Sequence, residues 1–238
     1  LQGFSTQWYA RALKNPFVMD ALETSLVVAL ASAILASVLG TLAAVGLQGI
    51  RGPARAVFDA VIYIAVMIPG IVIGIATLIA LVTVFDVLNP WLAAFWPEGA
   101  EPPRLSMGMG SLIAAHTMFT MALVIIIVRA RLGTLEAALT EAAADLYATP
   151  LGTFRQITLP LIAPAVLAGF LLSFTFSFDD FISAIFVAGS ETTLPIYVFS
   201  SIRRGVTPEI NAIGTMVMAA SLVLLIAAQL ILQRGSRR

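Results

Sequence analysis

Two neighbouring aspartates, Asp179 and Asp180, stand in "SFTFSFDDFISAIFVAG" at the end of a long run without charge. An ionised carboxylate is costly in lipid, so a pair flanked by so much apolar sequence must face protein or a water-filled path. At about 100° per helical residue, Ser173, Ser177, Asp179, Asp180 and Ser183 share an arc of roughly 160°, with Phe176 inside it. Phe170, Phe174, Phe178 and Phe181 fall on another face and read as helix packing or lipid contact. Carboxylates beside one aromatic suit a polycation. The carboxylates offset its charge, and an aromatic face adds about 0.5–2 kcal/mol of cation–π attraction when desolvated. The competing reading of the aspartates is an N-cap or an inter-subunit salt bridge near the membrane surface. Glu209 and Asn211, early in the last apolar run, are further candidates for the same path.

Other chemistry finds little support. Cysteine is absent and His116 is the sole histidine. A lone histidine inside an apolar run builds no metal site, and it reads as a hydrogen bonder in helix packing. There is no H-E-x-x-H, no G-x-S-x-G and no histidine partner for a serine nucleophile, which argues against an intramembrane enzyme. The only lysine, Lys14, is followed by asparagine, so the chain has no phosphate-binding P-loop of its own.

The elements that must carry these residues follow from composition. The 238 residues are 60% hydrophobic and 11% charged, with a mean hydropathy of +0.99. That balance cannot cover a water-soluble surface. Charge-free runs of 27, 26, 24, 23 and 24 residues lie between Glu23 and Arg51, Asp59 and Asp86, Arg104 and Arg129, Arg155 and Asp179, and Glu209 and Arg234. Each exceeds the roughly 20 residues needed to cross a bilayer as helix. Backbone satisfaction in lipid then makes the chain an all-α membrane protein with five spans. We place them at about 24–50, 60–85, 105–128, 160–188 and 208–233 of a single domain covering 1–238, after an outer segment 1–23.

Orientation rests on the basic residues. Placing the loop after the first span in the cytoplasm puts Arg51, Arg55, Arg129, Arg131, Arg155, Arg234, Arg237 and Arg238 inside. Arg11, Lys14, Arg104, Arg203 and Arg204 then lie outside, and the excess favours that assignment. The loop "DVLNPWLAAFWPEGAEPPR" (86–104) faces out, with Trp91 and Trp96 at the headgroup level. The C-terminus is cytoplasmic. Five spans and a first residue, Leu1, that is not methionine lead us to expect a further helix upstream, an external N-terminus of other origin being the alternative.

Local signals refine the pattern. Pro69 and Gly70 in "MIPGIVIG" predict a kink or break in the second span. "ETTLPIYVFSSIRRG" (191–205) is too short to cross and reads as a re-entrant or interfacial segment. Thr207, Pro208 and Glu209 start the last helix as N-cap, first-turn proline and first-turn acid. Between the third and fourth spans, 129–160 reads as two short cytoplasmic helices. Gly133-Thr134 supplies a stop and a cap, and Thr149-Pro150 starts the second helix, which Pro160 and Pro164 close. Leu135, Leu139, Ala142 and Leu146 form an apolar stripe edged by Glu136, Glu141 and Asp145. Its few basic residues fit a protein partner better than lipid headgroups.

The insert "EAAADLYATPLGTFRQITLP" resembles the EAA loop of permease subunits in ABC importers. That pattern is E-A-A, three residues, glycine, nine residues, then I-x-L-P, and here it runs through Glu141, Ala142, Ala143, Ile157, Leu159 and Pro160. Tyr147 stands where the motif has glycine, which puts in question the close backbone approach glycine would allow. In addition, "GFSTQWYARAL", "LSFTFSFDDFISAIFVAG" and "TTLPIYVFSSIRRGVTPEINAI" look like a permease subunit of spermidine/putrescine importers, so the resemblance covers nearly the whole chain. It implies a type I ABC importer transmembrane domain in a prokaryotic inner membrane, preceded by one more helix. Glu141, Ala142, Ala143, Asp145, Leu146, Tyr147, Ile157, Leu159 and Pro160 would form the loop that docks on the ATPase. Asp180, Asp179, Phe176, Ser177, Ser173 and Glu209 would line the path of a polyamine. The implied partners are a second homologous permease, two copies of the ATP-binding subunit, which hold ATP and Mg, and an external solute-binding protein. The same subunit type could carry another small solute. An ion-driven secondary transporter, with Asp179, Asp180 or His116 carrying protons, is less consistent with five spans and no visible internal repeat.

Overall fold

The computed structural model describes residues 5–97 and 99–236, with side chains described throughout these except at 137, 227–228 and 231–236. The described residues are helical with short connections and contain no strand. In chain order the helices are α1 (Gln7–Ala12), α2 (Pro16–Gly46), α3 (Pro53–Met67), α4 (Gly70–Ala94), α5 (Met109–Leu132), α6 (Ala137–Asp145), α7 (Pro150–Thr153), α8 (Leu159–Asp179), α9 (Ile182–Val187), α10 (Leu194–Arg204) and α11 (Pro208–Ser236). Five stretches among the described residues are long and apolar enough to span: Pro16–Gly49, Gly70–Ala94, Met109–Leu132, Pro150–Asp179 and Pro208–Ile226.

Several boundaries depart from the sequence reading, each for a local reason. The first span starts eight residues early, at Pro16, because Asn15 caps α2: the Phe17 N–H donates to Asn15 Oδ1 at 3.1 Å. Pro69 does more than kink the second span. It sits in extended backbone (φ −55°, ψ 133°) as the cap of α4 and divides the expected 60–85 helix in two. The spanning helix therefore runs on through Asp86 and Trp91, residues assigned above to a loop. Within this helix, Asn89 holds the chain at Leu105, accepting from its N–H at 2.7 Å and donating to its carbonyl at 3.0 Å.

Pro160 and Pro164 do not close a short helix. Helix runs unbroken from Pro150 to Asp179, with a π-helical turn over Phe154–Thr158 just before Pro160. Proline lacks an N–H and its ring crowds the carbonyl four residues back. Widening the preceding turn relieves that crowding without ending the helix. At its far end the fourth span stops at Asp179, short of the expected 188, and residues 180–181 separate it from α9.

The chain forms two compact units that share the long helices α2, α5, α8 and α11. The first comprises 1–31, 68–116 and 177–219. Its core is Val28, Leu112, Ala115, Ala184, Val187 and Ala188, with Leu78, Phe186 and Ile196 against it. Here α9 lies close on α4: a Cβ at Gly74 would fall 2.7 Å from Phe186, so only glycine admits the approach. Ser25 of α2 accepts the N–H of Leu194 at 2.8 Å, which satisfies a donor that the start of α10 would otherwise leave unpaired. The second unit comprises 32–67, 117–176 and 220–238. Ala36, Ala44, Ile62, Val124, Val128 and Ile162 are among its core residues. Val124 of α5 is wedged between two glycines. A Cβ at Gly40 of α2 would lie 2.9 Å from it and one at Gly169 of α8 3.4 Å.

Candidate functional site

In the first unit, the helix break after Asp179 gathers part of the acidic arc. Asp180 lies in the break, and its Oδ1 accepts the Ser183 N–H of the first turn of α9 at 3.4 Å. Its other oxygen, Oδ2, is 3.4 Å from Nε2 of His116, a residue of α5 with no solvent exposure. Nδ1 of the same imidazole is 2.7 Å from Ser177 Oγ. Asp180 itself keeps 15% of its side chain exposed. Asp180 thus accepts a backbone N–H from the first turn of α9 and keeps a partly open carboxylate.

The rest of the arc divides. Ser173 and Ser177 are buried, whereas Phe176 is 48% exposed and Asp179, one turn on, is exposed as well. Phe176 therefore shares a side with Asp179 rather than with the buried serines and Asp180. Glu209 belongs to a different place. It accepts from Asn15 Nδ2 at 2.9 Å and lines a cavity of about 250 Å³ with Tyr197, Arg204 and Thr207. Thr207 caps α11 as expected, its hydroxyl 3.4 Å from the Ile210 N–H. Among the described residues no three of His, Asp and Glu gather as a metal site.

In the second unit, the insert builds a turn. Thr134 is not the cap of α6, since its hydroxyl donates back to the Arg131 carbonyl at 2.7 Å and Glu136 occupies the cap position. After α6, Leu146 is the C-cap and Tyr147 follows at φ +58°. The Tyr147 N–H donates to the Ala144 carbonyl and the Ala148 N–H to the Ala143 carbonyl, each at 2.9 Å. This is a Schellman closure, with tyrosine in the left-handed position that glycine usually fills. The left-handed conformation costs an L-residue about 1–2 kcal/mol. Thr149 then caps the next helix, accepting from the Gly152 N–H at 3.1 Å.

The turn projects its apolar side chains. Leu146 is 81% exposed, Tyr147 96% and Leu151 74%. Glu141, Ala142 and Asp145 are exposed too, while Ala143 is buried. The expected stripe is thus split: Leu135 packs on the core, but Leu139, Ala142 and Leu146 are open. Ile157 lies half-buried in the π-turn, while Leu159 and Pro160, which begin α8, are exposed.

Beside this insert, Arg129 at the end of α5 reaches Asp59 of α3 at 2.6 Å, and Arg55 meets the same carboxylate at 3.3 Å. The hydrogen bond from Arg129 holds Asp59 below its ordinary carboxylate pKa, with Arg55 adding to the effect.

The sequence matches the family described as binding-protein-dependent transport system inner membrane component over residues 21–238. The chain belongs to this family. It is a multi-pass inner-membrane component of a transport system, and its family is one of permeases rather than enzymes. It is 39% identical over 225 residues to the putrescine transport system permease protein PotI of Escherichia coli K12, covering 92% of this chain and 74% of that one. It is 36% identical over 231 residues to the spermidine/putrescine transport system permease protein PotC of the same organism, covering 97% and 80%. The sulfate transport system permease protein CysT of Salmonella typhimurium is 31% identical over 243 residues, covering 100% and 85%. Among solved structures, a bacterial ABC transporter involved in import of the acidic polysaccharide alginate superposes with a TM-score of 0.76 at 15% identity, over 98% of this chain and 85% of that one. The methionine ABC transporter MetNI gives 0.68 at 16%, over 98% and 99%. The fold is that of a type I ABC importer transmembrane domain.

Proposed function

We propose that this chain forms half of the translocation path of an ATP-driven polyamine importer. In this reading Asp180 offsets cargo charge, and the turn at Leu146–Tyr147 docks on a separate ATP-binding subunit. The cargo rests on one observation above others, the 39% identity to a putrescine permease across 92% of the chain. A partly open carboxylate at the Asp180 break supports the same choice, because a cation gains and an anion loses beside it. The docking role rests on three large apolar side chains exposed around one rigid, closed turn. ATP and Mg would be held by the partner ATPase, with this chain supplying the docking surface. The other partners would be a homologous second permease and an external solute-binding protein. The turn and the C-terminus would face the cytoplasm.

The sulfate permease relative favours a second reading, import of a small anion by the same subunit type. Uptake into vesicles holding the whole complex separates the two. With ATP inside and loaded binding protein outside, labelled putrescine should accumulate, compete with spermidine and ignore sulfate. Sulfate accumulation without putrescine uptake would replace the first reading by the second.

A further inference from the structure

His116 is wholly buried in α5, and neither the docking turn nor the proposed path requires an imidazole there. Its two nitrogens nevertheless address two different residues of one helix end. Nδ1 meets the Ser177 hydroxyl at 2.7 Å, inside the last turn of α8, and Nε2 faces Asp180 Oδ2 at 3.4 Å, in the break beyond. Asp180 Oδ1 is meanwhile taken by the Ser183 N–H of α9. One carboxylate is thereby approached from both sides, by the imidazole of α5 and by the backbone of α9. A carboxylate in a break between helices would otherwise turn freely among rotamers, and most of those point away from any fixed path.

We propose that His116 is a positioning residue for Asp180: anchored on Ser177, its imidazole fixes the Asp180 carboxylate in the α8–α9 break in the orientation that meets a cation in transit. This rests on the reading of Asp180 as a path residue. This role requires one tautomer. Ser177 donates its hydroxyl proton to Nδ1, and Nε2 carries the ring proton and presents it to Asp180. A neutral imidazole used in this way leaves the negative charge of the carboxylate in place, where a cationic side chain would cancel it. Glutamine can place an amide N–H near the position of Nε2, whereas leucine offers no donor of any kind.

Two experiments on the assembled complex in nanodiscs test this, one independent of cargo. Because His116 is the only histidine in the chain, its ring signals in a histidine-¹⁵N-labelled complex are assigned by difference against His116→Gln. The expected spectrum has a protonated Nε2 and a bare Nδ1, and Asp180→Asn shifts the Nε2 signal. A proton on Nδ1, or an Nε2 signal indifferent to Asp180→Asn, overturns the contact whatever the cargo is. The second is maximal ATP-driven uptake per assembled complex. His116→Leu should lower it about tenfold, His116→Gln should recover most of it, and His116→Leu should add nothing in an Asp180→Asn background. Equal losses in Leu and Gln variants, or losses that multiply with Asp180→Asn, would make His116 a packing residue only. If the spectrum is as expected but wild-type complex imports no polyamine, the cargo reading fails while the contact stands.

Discussion

The turn at Tyr147 and the break at Asp180 are held in opposite ways by the same kind of chain. Around Tyr147, everything that fixes the backbone lies within a few residues: two hydrogen bonds close the end of α6 and Thr149 opens the next helix. The apolar side chains are left outside. At Asp180 the contact comes from another helix, through an imidazole 61 residues before Ser177 in the sequence, and His116 and Ser177 are buried. A surface offered to a protein partner can be coded locally. A charge held in a bilayer must be assembled from several helices, because an unsupported carboxylate there is costly. The difference implies that the two regions fail separately.

The largest effect should follow from Asp180→Asn. It removes the charge but keeps the shape, and uptake of a polycation should fall about tenfold or more, the scale of ~1.4 kcal/mol. Retention of the ATPase on purified complex should not change, and normal uptake would remove Asp180 from the path. Glu141→Lys should do the reverse. A reversed charge on the open face of α6 should release the ATPase in a pull-down, or leave its hydrolysis indifferent to loaded binding protein. Gly40→Leu should respect neither division. Forced against Val124, it should lower the yield and melting temperature of the complex, as overpacking by about 1–3 kcal/mol does.

Finer predictions sharpen the local half of the comparison. Tyr147→Gly should keep the turn and relieve its strain, whereas Tyr147→Val should break it, since a β-branched residue is poorly tolerated at φ +58°. The valine variant should therefore lose more ATPase coupling than the glycine variant, and the opposite order would mean that the tyrosine ring, not the backbone, carries the contact. The smallest effect concerns Asp59. Its pKa is lowered in the folded state, so its ion pairs stabilise above the ordinary carboxylate pKa and are lost as pH falls through the lowered value. The melting difference between wild type and Asp59→Asn should thus be present at neutral pH and vanish in acid. A difference that persists in acid would show that Asp59 acts by packing instead.

What could be read from the chain alone follows the same line. Thr149-Pro150 and Thr207-Pro208 start helices as written, because cap and first-turn proline act within one turn. Pro69 marks a true break for the same local reason. Pro160 does not end its helix, since the π-turn just before it absorbs the crowding, and Pro164 lies inside α8. Asn15-Pro16 carried the same cap-and-proline signature as the other two and went unread, which placed the start of α2 too late. The acidic arc was legible as helical spacing, but which of its members point inward depends on α5 and α9. Spacing alone therefore does not tell that Phe176 and Asp179 are exposed while Ser173 and Ser177 are buried. The imidazole beside Asp180 left no mark in the sequence beyond being the single histidine.

The most direct test is the ratio of ATP hydrolysed to putrescine imported, measured together on the complex with loaded binding protein. The account predicts that Asp180→Asn continues to hydrolyse ATP while importing little, so the ratio rises, and that Glu141→Lys loses binding-protein-stimulated hydrolysis and import together. If both variants change hydrolysis and import in the same proportion, cargo path and coupling surface are not separate, and the division of labour proposed for this chain is wrong.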